Sequence, residues 1–219
     1  MLQVLMITNK KLTKKQLNEL TGGLSEPSKM PCYSWSISAE HCKTGSKLAQ
    51  TEGTVCHECY ACTNFYRMPT TQNAMARRLQ ALYSPLYIEA MIETLKRFEK
   101  SGYFRWFDSG DLQSVDHLKK IVAICEGTPH LKHWLPTKEY GFVREYIESG
   151  NKVPSNLVIR LSGYKIDGLA PTALAKRLGV QVSSVSESDY TCPSSKQGNK
   201  CLECRLCFTD AFNVTYKKH

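Results

Sequence analysis

The sequence predicts an α/β fold: a parallel sheet, built as a partial (β/α)6-type barrel or an open sheet, with two cysteine-rich metal loops. Three observations carry this. Short runs of β-branched and aromatic residues alternate with segments of helical periodicity. Polar, Gly-assisted segments follow the strand candidates, as in folds whose site lies at the carboxyl ends of the strands. The chain has 219 residues, 42% hydrophobic and 22% charged, enough to bury a core of its own without disulfides. A single domain over 1–219 is expected, with cysteine-rich insertions at about 32–69 and 190–208.

The elements follow in order. Residues 33–37 predict a strand, and the long cysteine loop comes after it. Helices are expected over 70–83 and 85–100, with Ser84 and Pro85 in the N-cap and first-turn positions of the second. Residues 103–107 (YFRWF) predict a strand. Ser114 then caps a helix whose apolar face carries Leu118, Ile121, Val122 and Cys125. A short strand over 133–135 precedes a helix over 139–149. NLVIRL, 156–161, is the strongest strand pattern in the chain. A short helix over 172–178 stops at Gly179, and strands over 180–185 and 212–216 complete the set.

The ten cysteines are the informative count. Met1–Ile7 is apolar but lacks a preceding basic residue and a small-residue cleavage site, so it reads poorly as a signal peptide. The expected compartment is therefore the reducing cytoplasm, where clustered cysteines serve metals more often than disulfides. No apolar run approaches the length of a membrane span. Cys192, Cys201, Cys204 and Cys207 are spaced C-x8-C-x2-C-x2-C. Three sulfurs on one tight loop with a fourth from further away suit a [4Fe–4S] cubane. Cys42, Cys56, Cys59 and Cys62 form a first group, with Cys32 ten residues before Cys42. Five candidates for four positions leave at least one without a metal. Structural zinc is the competing reading, since paired C-x2-C knuckles are common zinc patterns. Cys125 reads as a small buried hydrophobe, and His41 and His57 as loop residues.

Polar residues follow the strand candidates: Asp108, Ser109, Gly110 and Asp111 after YFRWF, Lys138 and Glu139 after HWLPT, Arg160 and Ser162 in NLVIRLS, and Ser183–Ser186 after VQV. Their convergence on one rim predicts a site. Arg160 and Lys138 would bind an anionic substrate group or screen a cluster's charge. Asp108 and Asp111 would orient a substrate or move protons, with Ser162 beside them. The competing reading has Asp108 and Ser109 capping the next helix and Lys138 pairing with Glu139 in solvent.

At VCHECYA, FRWFDSGDLQS, HWLPTKEY, NLVIRLSG and CPSSKQGNKCLECRLC the chain resembles the "gene product eighty-eight" family of phages and plasmids. The likeness runs from about Lys29 to His219, with its motifs in order. The resemblance implies functional cysteines at Cys32, Cys42, Cys56, Cys59, Cys192, Cys201, Cys204 and Cys207, and the host cytoplasm for a phage-encoded chain. Cys62 departs from the family pattern, where an apolar residue is usual. Phe107 stands where a histidine is usual, which removes a proton-transfer group. A more distant architectural likeness is to radical S-adenosylmethionine enzymes, although their C-x3-C-x2-C motif is absent.

The functional expectation is an iron–sulfur protein, with one or two [4Fe–4S] clusters, acting in redox or radical chemistry on a small-molecule substrate or redox partner. The alternative is a zinc-stabilised nucleic-acid-binding protein. The net charge of +9 favours that alternative. Its basic residues are dispersed, however: Lys10, Lys11, Lys14, Lys15, Arg77, Arg78, Lys217 and Lys218. Tyr60, Phe65 and Tyr66 beside Arg67 would supply stacking faces. A purely structural metal serving a host-directed interaction is a third reading. The +9 also counts every thiol as neutral. Two four-thiolate sites, each offset by about two positive metal charges, lower the balance to roughly +5.

Overall fold

The computed structural model describes residues 12–218. The apolar stretch Met1–Ile7 and the basic pair Lys10 and Lys11 lie outside the described residues. Six strands form one parallel sheet in sequential order: β1 (Ser34–Trp35), β2 (Tyr103–Trp106), β3 (Lys132–Thr137), β4 (Leu157–Ile166), β5 (Gln181–Ser186) and β6 (Asn213–Lys217). The sheet is open, because β1 and β6 stand at its two edges. Seven α-helices accompany it among the described residues: α1 (Lys14–Thr21), α2 (Lys43–Leu48), α3 (Pro69–Ala81), α4 (Tyr87–Phe98), α5 (Val115–Gly127), α6 (Tyr140–Glu148) and α7 (Thr172–Leu178). Helices α4 to α7 touch one another in succession, and α1 packs on α3 and α4. They therefore make a row on one face of the sheet.

Strand alternation divides the two faces. Phe104, Trp106, Leu135, Ile159, Leu161 and Val182 turn to the helices. There they meet Met91, Leu95, Leu118, Ile121 and Val143 in the main core. Cys125 is fully buried in this core, as its place on the apolar face of α5 predicts. The intervening residues, including Tyr103, Arg105, Trp134 and Arg160, face the other way. A smaller apolar cluster of Cys32, Trp134 and Phe208 forms there, under the C-terminal cysteines.

All six predicted strands are present. The first is shorter than expected, and NLVIRL continues into a strand of ten residues. Ser114 caps α5 by accepting from the His117 N–H at 3.1 Å, and Gly179 ends α7 in the left-handed conformation, φ +66°. The helix expected from Ser84 and Pro85 starts two residues later, at Tyr87. Ser84 Oγ instead accepts from the Leu86 N–H at 3.2 Å, so Ser84 closes a turn ahead of the helix. Helix α1 was not among the expected elements; the signal that could have found it is a capping box, in which the Thr13 and Gln16 side chains each accept from the other's backbone N–H, at 3.3 and 2.9 Å.

After β2 the chain turns sharply. Phe107 is held at φ +56° and Gly110 at φ +80°, which re-aims the polar segment 108–111 across the sheet end. A Cβ on Gly110 would stand 2.7 Å from the Ile37 carbonyl oxygen, in the segment after β1. Gly110→Ala combines that clash with left-handed strain. The expected loss is about 2–4 kcal/mol, read as a lower urea midpoint at unchanged slope.

Two buried histidines set the acid response of the fold. His117 packs edge-on against Trp35 and Phe107, and His133 stacks near Trp106. Each ring has one nitrogen without a hydrogen-bond partner, Nε2 of His117 and Nδ1 of His133. Burial, followed by nearby Lys120 for the first and His130 for the second, pushes both down to about 3. An unfolded histidine takes up its proton near about 6.5. The unfolded chain thus binds more protons between about 6.5 and about 3, and stability is expected to fall as pH drops through that window. Asp111, described below, contributes with the opposite sign, but one carboxyl moving less does not outweigh two histidines. Urea midpoints measured between pH 7 and pH 4 check this.

Candidate metal centres and the cavity between them

The cysteines sort into two groups at the same end of the sheet. The N-terminal group is Cys42, Cys56 and Cys59. Cys42 sits between a 3-10 turn (Ala39–His41) and α2, where Gly45 leaves space for the thiols. A Cβ on Gly45 would lie 2.9 Å from Cys42 Cβ, 3.6 Å from Cys56 Sγ and 3.7 Å from Cys42 Sγ. Glu139 ties this loop to the end of β3, accepting from the Thr44 N–H at 2.7 Å and the Thr44 hydroxyl at 2.8 Å. Cys62 neighbours Cys59 but is exposed.

Cys32 was expected beside the first group from its place in the sequence. The structure puts it with the second. It is buried against Trp134 and Phe208, and its charged neighbours include Cys201, Arg105 and Arg205. The reason is a link between the chain ends: the Cys201 N–H donates to the Lys29 carbonyl at 2.9 Å, which draws the segment before β1 under the C-terminal loop. The second group is thus Cys32, Cys192, Cys201, Cys204 and Cys207. The last four surround a pocket of about 20 Å³.

All ten cysteines are free thiols. Burial, then Asp111 and the neighbouring thiols, pushes the Cys42 thiol far up. Burial and then Glu99 push Cys32 up to about 12, and burial pushes Cys207 up to about 11. Such thiols bind a metal only by giving up protons, so loading releases acid. Among the described residues, no three His, Cys, Asp or Glu side chains converge as a single-ion cage. The donor set itself, five thiols in one group and three in the other, fits a thiophilic centre in its chemistry.

Between the groups lies a cavity of about 520 Å³. Asp108 and Asp111 both line it, and neither caps α5. Asp108 Oδ1 accepts from the Ser34 hydroxyl at 2.7 Å and from the Ser36 hydroxyl, and Oδ2 accepts from Tyr66 at 2.9 Å. Asp111 accepts from Thr137 Oγ1 at 2.6 Å and from the N–H groups of Leu112 and Lys138, each at 2.8 Å. Burial raises its carboxyl to about 6 against the pull of those hydrogen bonds. A group balanced near neutrality suits proton transfer.

Lys138 lines the same cavity, close enough to draw down the Cys42 and Cys56 thiols, and makes no ion pair with Glu139. Ser162 lines it too, its hydroxyl accepting from Ser183 at 3.2 Å.

Arg160 is placed differently from the expectation of a substrate contact. It is fully buried. Its donors all go to main-chain carbonyls: Cys207 at 3.1 Å from Nε, Val182 and Ala211 at 3.1 and 2.7 Å from one Nη, and Leu206 and Thr209 at 3.2 and 2.8 Å from the other. It clamps the loop that carries Cys207 and presents no donor to a substrate.

Arg105 was not singled out from the sequence, although a charge between aromatic residues in YFRWF was its signal. It stacks on Trp134 with 4.6 Å from guanidinium carbon to ring centroid, and it lies near Cys32, Cys201 and Cys207. Burial alone would weaken its hold on the proton, but Tyr60, Asp108 and Tyr66 reverse that and keep it cationic.

No helix among the described residues is long and apolar enough to cross a membrane. No curated protein and no solved structure matches the chain. The family model described as Gene product 88 matches residues 3–210, nearly the whole length, so the chain belongs to the Gene product 88 family.

Proposed function

We propose that this chain is an iron–sulfur protein of the host cytoplasm whose redox or radical-type chemistry takes place at the strand-end cavity. The observation that carries the reading is the sorting of eight expected ligands into two all-sulfur groups on either side of one cavity, in a chain with no disulfide. The sequential strand order and the row of helices support reading the sheet as a partial (β/α)6 barrel with its mouth at this cavity. The expected centres are [4Fe–4S] clusters. Cys192, Cys201, Cys204 and Cys207 would hold one with Cys32 beside it, and Cys42, Cys56 and Cys59 the other. A cluster would supply one-electron transfer.

The chain's own residues have distinct tasks in this reading. Arg105 and Lys138 offset the negative charge of thiolates. Asp111 holds or releases a proton at its carboxyl near neutral pH. Asp108 fixes Tyr66, Ser34 and Ser36 around the opening. Arg160 and Glu139 hold the two cysteine loops in place.

Nucleic-acid binding has weaker support. Arg78 is buried, with its Nε donating to the Gly23 carbonyl, so it leaves the basic set. Tyr66 is engaged by Asp108, while Phe65 is 77% exposed. Iron, acid-labile sulfide and zinc measured per chain in anaerobic protein decide the matter. Iron and sulfide in equal amounts with broad visible absorbance support clusters. Zinc alone, with salt-dependent DNA or RNA binding, replaces this reading.

A further inference from the structure

Two arginines point from the sheet to its cavity side and differ in what they touch. Arg160 has an acceptor for every donor. Arg105 does not. Its buried Nε has no hydrogen-bond partner, one Nη reaches the Met30 sulfur at 3.5 Å, the Tyr60 hydroxyl accepts from the guanidinium, and Arg105 forms no ion pair among the described residues. The carboxylate whose charge acts on it, Asp108, is already taken by Ser34, Ser36 and Tyr66. Guanidinium donors in a desolvated setting call for an oxyanion, which a planar fork meets with two parallel hydrogen bonds.

The surroundings define the remainder of the ligand. Arg105 and Lys138 both line the cavity of about 520 Å³, within the usual range for small-molecule sites. Trp134, Phe107, Val185 and Ile166 give it apolar walls, and Ser162 and Ser183 add hydroxyls. We propose that this cavity binds a small organic anion, with its carboxylate or phosphate group on Arg105, assisted by Lys138, and its apolar part against Trp134. This goes beyond the reading of the cysteines and stands whether they hold iron or zinc.

The test is anaerobic calorimetric titration of the full chain, as isolated, with benzoate, phenyl phosphate, inorganic phosphate and benzyl alcohol. Benzoate or phenyl phosphate is expected to bind, inorganic phosphate at least tenfold more weakly, and benzyl alcohol not measurably. The tighter of the first two identifies the anion as carboxylate or phosphate. Arg105→Lys, which keeps the charge but loses the fork, is expected to weaken the tighter probe at least tenfold, and Lys138→Gln severalfold. Should Arg105→Lys fail to fold by circular dichroism, the Lys138→Gln titration and the probe series decide. The proposal is overturned if no anion binds, if benzyl alcohol matches benzoate, or if folded variants bind as the parent does.

Discussion

Replacing Arg160 with methionine is expected to lower stability by about 4 kcal/mol, a fall in melting temperature on the order of 10 °C for a chain of this length. Methionine fills much of the same volume but offers no donor. Five buried interactions with the carbonyls of Val182, Leu206, Cys207, Thr209 and Ala211 disappear together. Charge-assisted hydrogen bonds contribute about 1.5–3 kcal/mol each, and losses within one network add incompletely, so the total stays below their sum. The damage should be local in origin. Amide hydrogen exchange is expected to rise first over residues 201–212, before the strands on either side of β4. A substitution that left this loop protected would remove Arg160 as its clamp.

On the proposed iron–sulfur reading, exchanging Cys201 and Cys204 together for serine is expected to remove about half of the iron, and Cys42 with Cys56 the other half. Additivity follows from separation: the two groups lie on opposite sides of a cavity and share no sulfur. The visible spectrum of each double variant should then show one remaining centre. Loss of all iron in either variant would mean a single shared centre. Circular dichroism separates two roles for the metal in the same samples. A structural centre unfolds the chain when its ligands go, whereas a functional one leaves a folded remainder without activity.

Much of this architecture was legible in the sequence because the local signals agree. Strand periodicity located all six strands, and Ser114 and Gly179 marked helix ends with residues whose chemistry suits those positions. The site was legible only as a list of residue types. Spacing placed Cys32 beside Cys42, yet a long-range backbone contact from Cys201 to Lys29 decided its partners. Arg160 and Arg105 both stand within strands flanked by apolar residues, and sequence gives no means of seeing which carbonyls surround one or what deprives the other. Glu139 looked like a partner for Lys138 until the fold brought the Thr44 N–H within 2.7 Å of it. Local pattern reads elements, and only tertiary proximity assigns polar side chains.

The pairing of Cys32 with the C-terminal cysteines also sets an order of biogenesis. The N-terminal group lies wholly within the connection from β1 to β2, so its three cysteines are all present while synthesis is still under way. The other group unites a residue from before β1 with residues from between β5 and β6. Its pocket comes into being only after the segment carrying Cys192–Cys207 has cleared the ribosome and met the first strand. Until then those thiols are open to oxidation and to the wrong metal. If these cysteines hold metal as proposed, a factor delivering it to that group would have to recognise the finished fold, whereas the first group could be filled on a nascent chain.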